Sequence, residues 1–116
     1  MPILALLAAA PVDCAGAVAQ PELNACASQE YRRADQALNR QYAATVRAVG
    51  GEDGSADRLD RLRQAQRAWV TFRDAHCDSA FFSGVGASLD YTQGIWCRTE
   101  LTEERTKQLA ELGREQ

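Results

Sequence analysis

Four cysteines, one histidine and a few acidic pairs are the side chains of this 116-residue sequence with the most obvious chemical potential. His76 stands directly before Cys77, which raises a thiolate–imidazole pair. Neighbouring residues on a helix point about 100° apart, so adjacency alone does not make a dyad. A disulfide-bonded Cys77 would be no nucleophile at all. Glu52-Asp53 and Glu103-Glu104 supply carboxylates, but acid–base work needs a cleft that holds two of them in place. A glycine-rich connection and a charged helix surface offer no such cleft. Ser83-Gly84-Val85-Gly86 is too short for a phosphate cradle, and the chain has no P-loop or dinucleotide fingerprint. No C-x-x-C spacing occurs, and the gaps between cysteines are long for zinc. The sequence therefore predicts no catalytic residue, no metal and no cofactor, and favours a binding protein over an enzyme.

Composition points the same way. A formal charge of -3 disfavours a protein that tracks nucleic-acid phosphates. Ile3-Leu4-Ala5-Leu6-Leu7-Ala8-Ala9-Ala10 is a short apolar run ending in small residues, read as a signal segment over residues 1–10, although it lacks a basic flank. It is too short to span a bilayer, and Asp13 before Cys14 is unlike a lipoprotein signal, so no stable membrane anchor is expected. Residues 11–116 then form one small domain. An even number of cysteines in so short a chain fits an oxidising compartment.

Three helices must position these residues. Pro21 suits a first helical turn and Glu22 suits its dipole. Leu23, Cys26, Tyr31, Ala34, Leu38, Tyr42, Thr45, Val46 and Val49 mark one broad face up to Gly50-Gly51. The stretch Leu62–Cys77 lacks Gly and Pro. Leu59, Leu62, Gln66, Trp69, Phe72, His76 and Ala80 recur in steps of three and four along it, predicting a second helix from Ser55 or Asp57 to about Ala80. The short link makes the first two helices antiparallel neighbours. A third helix follows Ser88, with Leu89, Tyr91, Ile95, Trp96, Leu101, Arg105, Leu109 and Leu112 as its apolar side and Gly94 weakening it. The expected fold is an all-α, three-helix antiparallel bundle whose core includes Tyr31, Leu38, Tyr42, Leu62, Trp69 and Phe72.

This arrangement brings all four cysteines to one pole. Cys14–Cys26 and Cys77–Cys97 are the favoured pairs because each closes a local loop, the second around Phe81–Ala87. Cys26–Cys77, which would clamp the first helix to the second, remains open on geometry.

The residues around the cysteines carry a resemblance. Cys14, Leu23-Asn24-Ala25-Cys26-Ala27, Tyr31, Ala34-Asp35, Leu38-Asn39 and Tyr42 resemble the first half of the lysozyme-inhibitor LprI-like N-terminal domain family. Leu62-Arg63, Gln66-Arg67-Ala68-Trp69, Phe72-Arg73-Asp74, Cys77, Cys97, Leu101-Thr102 and Arg105 resemble its second half. The ensemble of C-x11-C, D-x-x-L-N-x-x-Y, L-R-x-x-Q-R-A-W and C-x-x-x-L-T-x-x-R covers nearly all of the mature chain. The family's Gly-Gly-Ser-like turn departs here to Ser83-Gly84-Val85-Gly86-Ala87-Ser88.

The resemblance implies a periplasmic or secreted helical domain of the bacterial envelope, and a lysozyme-type muramidase as partner. Asp35, Asn39, Gln66, Arg67, Arg73 and Arg105 are then expected to form a structural polar network, with Asp35 paired to an arginine of another helix. Cleft occlusion needs a rigid protrusion, for which the loop Phe81–Asp90 is the candidate. Phe81, Phe82 and Tyr91 would anchor it, Ser83 and Ser88 would donate hydrogen bonds, and Gly84 and Gly86 would permit close approach. The alternative for the same loop is a plain helix connection with its phenylalanines turned inward. The alternative for the whole chain is an envelope interaction module that does not inhibit lysozyme.

Overall fold

The computed structural model describes residues 14–51, 55–81 and 89–115. It contains three helices, α1 (Gln20–Val49), α2 (Ser55–Ala80) and α3 (Leu89–Arg114), and no strand among the described residues. The signal segment expected over residues 1–10 and the Ser88 expected to precede the third helix lie outside the described residues.

The first helix is built as its sequence dictates. Pro21 occupies the first turn, Glu22 faces the positive end of the dipole, and Arg47 lies in the last turn. Gly50 ends the helix and its N–H donates to the Val46 carbonyl at 2.8 Å. A Cβ at Gly50 would stand 3.0 Å from that carbonyl oxygen and 3.3 Å from a Leu59 methyl, so the turn into α2 is tightly packed around this glycine. Ser55 begins α2, and its hydroxyl donates back to the Gly50 carbonyl at 3.4 Å.

Cross-helix bonds fix the topology. Gln20 and Asn24 near the start of α1 meet Thr92 near the start of α3, and Thr45 near the end of α1 meets Leu109 near the end of α3. The two helices therefore run parallel. Gln66 meets Arg105 and Cys77 meets Cys97, so α2 runs antiparallel to α3. The most extensive packing is between α1 and α3, while α1 and α2 meet along much less of their length.

Small side chains explain that close approach. Ala27, Ala34 and Thr45 of α1 are buried, as are Thr92, Thr99 and Thr102 of α3. Thr92, Ile95, Thr99, Thr102, Thr106, Leu109 and Gly113 alternate in steps of three and four, which is a coiled-coil seam made mostly of threonine. This differs from the apolar side expected for α3: Leu89, Tyr91 and Leu112 are exposed, and of that set Leu109 alone is fully buried. Threonine reads as polar in a hydropathy pattern, yet its methyl packs while its hydroxyl bonds locally. Thr99 donates to the Ile95 carbonyl at 3.2 Å and Thr106 to the Thr102 carbonyl at 2.9 Å. Thr45 donates across the seam to the Leu109 carbonyl at 2.8 Å. No buried side-chain nitrogen or oxygen among the described residues lacks a partner.

The apolar core is small and lies toward the end opposite the cysteines. Leu38, Val49, Leu62 and Leu109 form it, with Tyr42, Val46, Leu59 and Trp69 packed against them. Phe72, expected in the core, is 55% exposed. The inward stripe of α2 runs Leu62, Gln66, Trp69, Arg73 and Cys77, so beyond Trp69 the step of four to Arg73 replaces the step of three to Phe72. Arg73 and Cys77 win the inner face because each has a bonding partner on α3.

Candidate functional site

Both disulfides sit at the pole expected for them. Cys14–Cys26 ties the lead-in to α1, and Cys77–Cys97 ties the end of α2 to α3, each with Cα atoms 5.7 Å apart. The Cys26–Cys77 alternative is thereby excluded, and Cys77 carries no thiol that His76 could activate. His76 is exposed and stacks on Phe72, with ring centroids 5.3 Å apart and planes 25° from parallel. No group of three or more His, Cys, Asp or Glu side chains is gathered around a metal-sized position among the described residues.

Between this pole and the apolar core lies a charged layer centred on Arg73. Its side chain is 8% exposed. Nε donates to Asp74 Oδ1 at 3.0 Å and Nη1 to the Thr102 hydroxyl at 3.4 Å. The guanidinium lies 5.1 Å from the Trp69 ring centre and 5.5 Å from that of Tyr31. One cation thus touches all three helices, held by two aromatic faces, a hydroxyl and a carboxylate.

Asp74 is shared. Arg98 Nε donates to the same Oδ1 at 3.2 Å, and Arg98 Nη2 donates to Asp78 at 2.7 Å. Partial burial pushes the Asp74 carboxyl up, but hydrogen bonds and charge from Arg73 and Arg98 outweigh it and hold the group below the usual value. Burial likewise works against the charge of Arg98, and Asp78 and Asp74 more than offset it, so Arg98 is raised. Burial raises Tyr31, with Arg73 working the other way and Asp35 and Asp74 adding to the rise.

The expected network is therefore distributed differently from its sequence outline. Arg73 forms the hub. Arg105 donates from Nε to Gln66 Oε1 at 3.0 Å and from Nη1 to Gln108 at 3.1 Å, and burial lowers it. Asp35 forms no ion pair with another described residue, and its charge adds to the rise of Tyr31. Asn39 and Arg67 are exposed, and the main chain of Arg67 accepts a bond from Thr71 at 3.2 Å. The Asp74–Arg98–Asp78 cluster was missed. Its sequence signal is the i, i+4 pair of aspartates on α2, three and one residues from the cysteine that joins α3.

Of the expected contact loop, Phe82, Ser83, Gly84, Gly86 and Ser88 lie outside the described residues. Its described ends are Phe81, which is half-buried, and Tyr91, which is 41% exposed. The Phe81 N–H donates to the Cys77 carbonyl at 2.9 Å, and its carbonyl lies 3.5 Å from where a Cβ of Gly94 would stand. Beside this base, His76, Phe81, Gln93, Trp96, Glu100 and Leu101 line a groove of about 340 Å³. A second depression, about 330 Å³, lies at the other end between α2 and α3, lined by Leu62, Ala65, Leu112 and the three arginines Arg58, Arg61 and Arg105. What the described geometry offers is recognition surface: a braced helical body, a disulfide-closed end and shallow grooves.

Comparison with known proteins places this body. The chain is 41% identical over 108 residues to the uncharacterized protein R02472 of Rhizobium meliloti (strain 1021), a match covering 86% of this chain and 78% of that protein. It is 30% identical over 97 residues to the uncharacterized protein YecT of Escherichia coli (strain K12), covering 75% of this chain and 60% of YecT. No solved structure matches at a significant level. The family model described as lysozyme inhibitor LprI matches residues 13–109, from the first cysteine's neighbour to the buried Leu109, and so takes in both disulfides, the Arg73 hub and the threonine seam. The chain belongs to the lysozyme inhibitor LprI family.

Proposed function

We propose that this protein is a periplasmic or secreted binding protein that inhibits lysozyme-type glycoside hydrolases by occluding the substrate cleft. The observation that carries the reading is membership of the lysozyme inhibitor LprI family over residues 13–109. Two disulfides are consistent with an oxidising compartment. No helix among the described residues is long and apolar enough to cross a membrane.

The physical mechanism is steric. Lysozyme-type clefts act through two carboxyl groups flanking the glycosidic bond. A rigid protein segment that fills the cleft excludes the glycan and needs no chemistry of its own. The segment between α2 and α3, closed by Cys77–Cys97, is the proposed protrusion. Phe81, Phe82 and Tyr91 supply apolar anchors, Ser83 and Ser88 supply hydroxyl donors, and the disulfide limits the entropy lost on binding.

Competition tests occlusion directly. Oxidised protein is titrated into chicken-type lysozyme with and without a saturating chitin trisaccharide. Binding that the sugar weakens supports cleft occlusion; binding indifferent to the sugar places the contact elsewhere. Ser83→Ala with Ser88→Ala then tests the loop, and undiminished affinity removes it from the interface.

A second reading is an envelope interaction module that leaves lysozyme untouched. The observation favouring it is the exposed aromatic surface of Phe72 on α2, outside the proposed protrusion. It predicts no complex with lysozyme and a Phe72-dependent complex with another envelope protein.

A further inference from the structure

The groove beside the Cys77–Cys97 disulfide joins aromatic walls to uncompensated negative charge. His76, Phe81, Trp96 and Leu101 line it together with Gln93 and Glu100. Phe72, stacked on His76, extends the aromatic surface outward. Glu100 and Trp96 also line a neighbouring depression with Glu30 and Glu103, and Glu100 and Glu103 line a third with Glu104 and Lys107. Glu100 is common to all three depressions.

Glu30, Glu100, Glu103 and Glu104 form no ion pair with any described residue, although Glu103 and Lys107 stand at i and i+4. Elsewhere Asp57, Asp74, Asp78 and Glu111 are each bonded to an arginine. Glu30, Glu100 and Glu103 share a depression with Trp96, and Glu104 and Lys107 line the adjoining one. A half-buried indole beside such a field attracts a cation through its ring face, and the negative surface charge steers a basic partner toward it.

We propose that this groove is the docking surface for a basic protein segment, with an arginine or lysine side chain seated over Trp96 and paired with Glu100. The proposal rests on the binding role given above and names the chemistry of the partner. Trp96 is the anchor, the walls of Phe81 and Leu101 take the aliphatic stem, and Glu103 and Glu30 hold flanking basic residues. Guanidinium suits the site better than ammonium, because its plane stacks on an aromatic face while its edge binds a carboxylate.

A capped hexa-arginine peptide is the probe, titrated calorimetrically into the oxidised protein at low ionic strength. The expected result is saturable binding that weakens as salt is raised. Glu100→Gln with Glu103→Gln weakens it by about tenfold, and Trp96→Leu by about fivefold. Glu115→Gln, a neutralisation near the far end of α3, changes it less than about twofold. No binding by the native protein, or equal loss in all three variants, overturns the proposal. Circular dichroism on each variant separates lost contact from lost fold. Peptide binding with no inhibition of lysozyme leaves the groove standing and removes the proposed target. Inhibition that persists undiminished in the Glu100→Gln, Glu103→Gln variant, with peptide affinity also unchanged, removes the groove and leaves the target.

Discussion

The guanidinium of Arg73 lies 5.1 Å from the ring centre of Trp69, one helical turn back on the same face of α2. Tyr31 of α1 closes the other side at 5.5 Å. A buried arginine thus takes the place a leucine would hold in an ordinary three-helix core. It is stable there because every surrounding helix contributes a group that attracts a cation or accepts a hydrogen bond.

Replacing Arg73 by Ala is expected to destabilise the domain by about 3 kcal/mol, since it leaves a cavity and strips Asp74 of one partner. Arg73→Met keeps much of the volume and is expected to cost less than the alanine. Urea denaturation of both variants measures the difference. Equal loss in the two would show that charge, rather than filling, holds the hub together.

Acid should weaken this layer. The folded Asp74 carboxyl titrates below its unfolded value of about 3.9. A depressed folded pKa means that its contribution is fully present above the unfolded value and is lost as pH falls through the folded one. Stability of the native protein should therefore fall below about pH 4, and Asp74→Asn should flatten that part of the curve. Denaturation midpoints across the acid range check the slope.

The disulfides close loops of 12 and 20 residues by sequence separation. Chain entropy assigns each about 3 kcal/mol. Removing Cys77–Cys97 by paired serine substitution should cost more than removing Cys14–Cys26, because Cys77 is fully buried between helices and Cys14 is exposed. Thermal unfolding of the two double variants ranks them.

Gly94 and Gly113 sit within α3 where a Cβ would meet neighbours no nearer than 3.5 Å. The space is ordinary contact distance, and helix propensity favours alanine by about 0.8–1.0 kcal/mol. Gly94→Ala and Gly113→Ala should each raise the melting temperature. Phe72→Ser, on the exposed face, should change stability by less than about 0.5 kcal/mol.

How much of this was legible in the sequence depends on which side chains did the packing. The face of α1 was readable because Ala34, Leu38, Thr45 and Val49 repeat at helical spacing and all are buried. Antiparallel geometry gathered the cysteines at one pole and left Cys26–Cys77 open, while loop locality favoured the pairs that form. The α3 seam was not readable, because threonines at 92, 99 and 102 look solvated until their hydroxyls find amide, carbonyl and guanidinium partners. Phe72 misled for the opposite reason: size predicted burial, but the stripe turned at Trp69 toward Arg73. Asp35 was expected to hold an arginine, yet Asp74 and Asp78 took that role because the disulfide at Cys77 brings Arg98 to them. The Trp96 groove belongs to two helices and the base of their connection, so no local pattern announces it.

The central claim, that this protein inhibits lysozyme by binding it, is tested most directly by turbidity clearing. Purified oxidised protein is added in increasing ratio to chicken-type and goose-type lysozymes acting on a peptidoglycan suspension. The initial clearing rate of at least one enzyme should fall as the ratio rises and level off near stoichiometric addition. Clearing rates that stay unchanged for both enzymes at several-fold excess would contradict the claim.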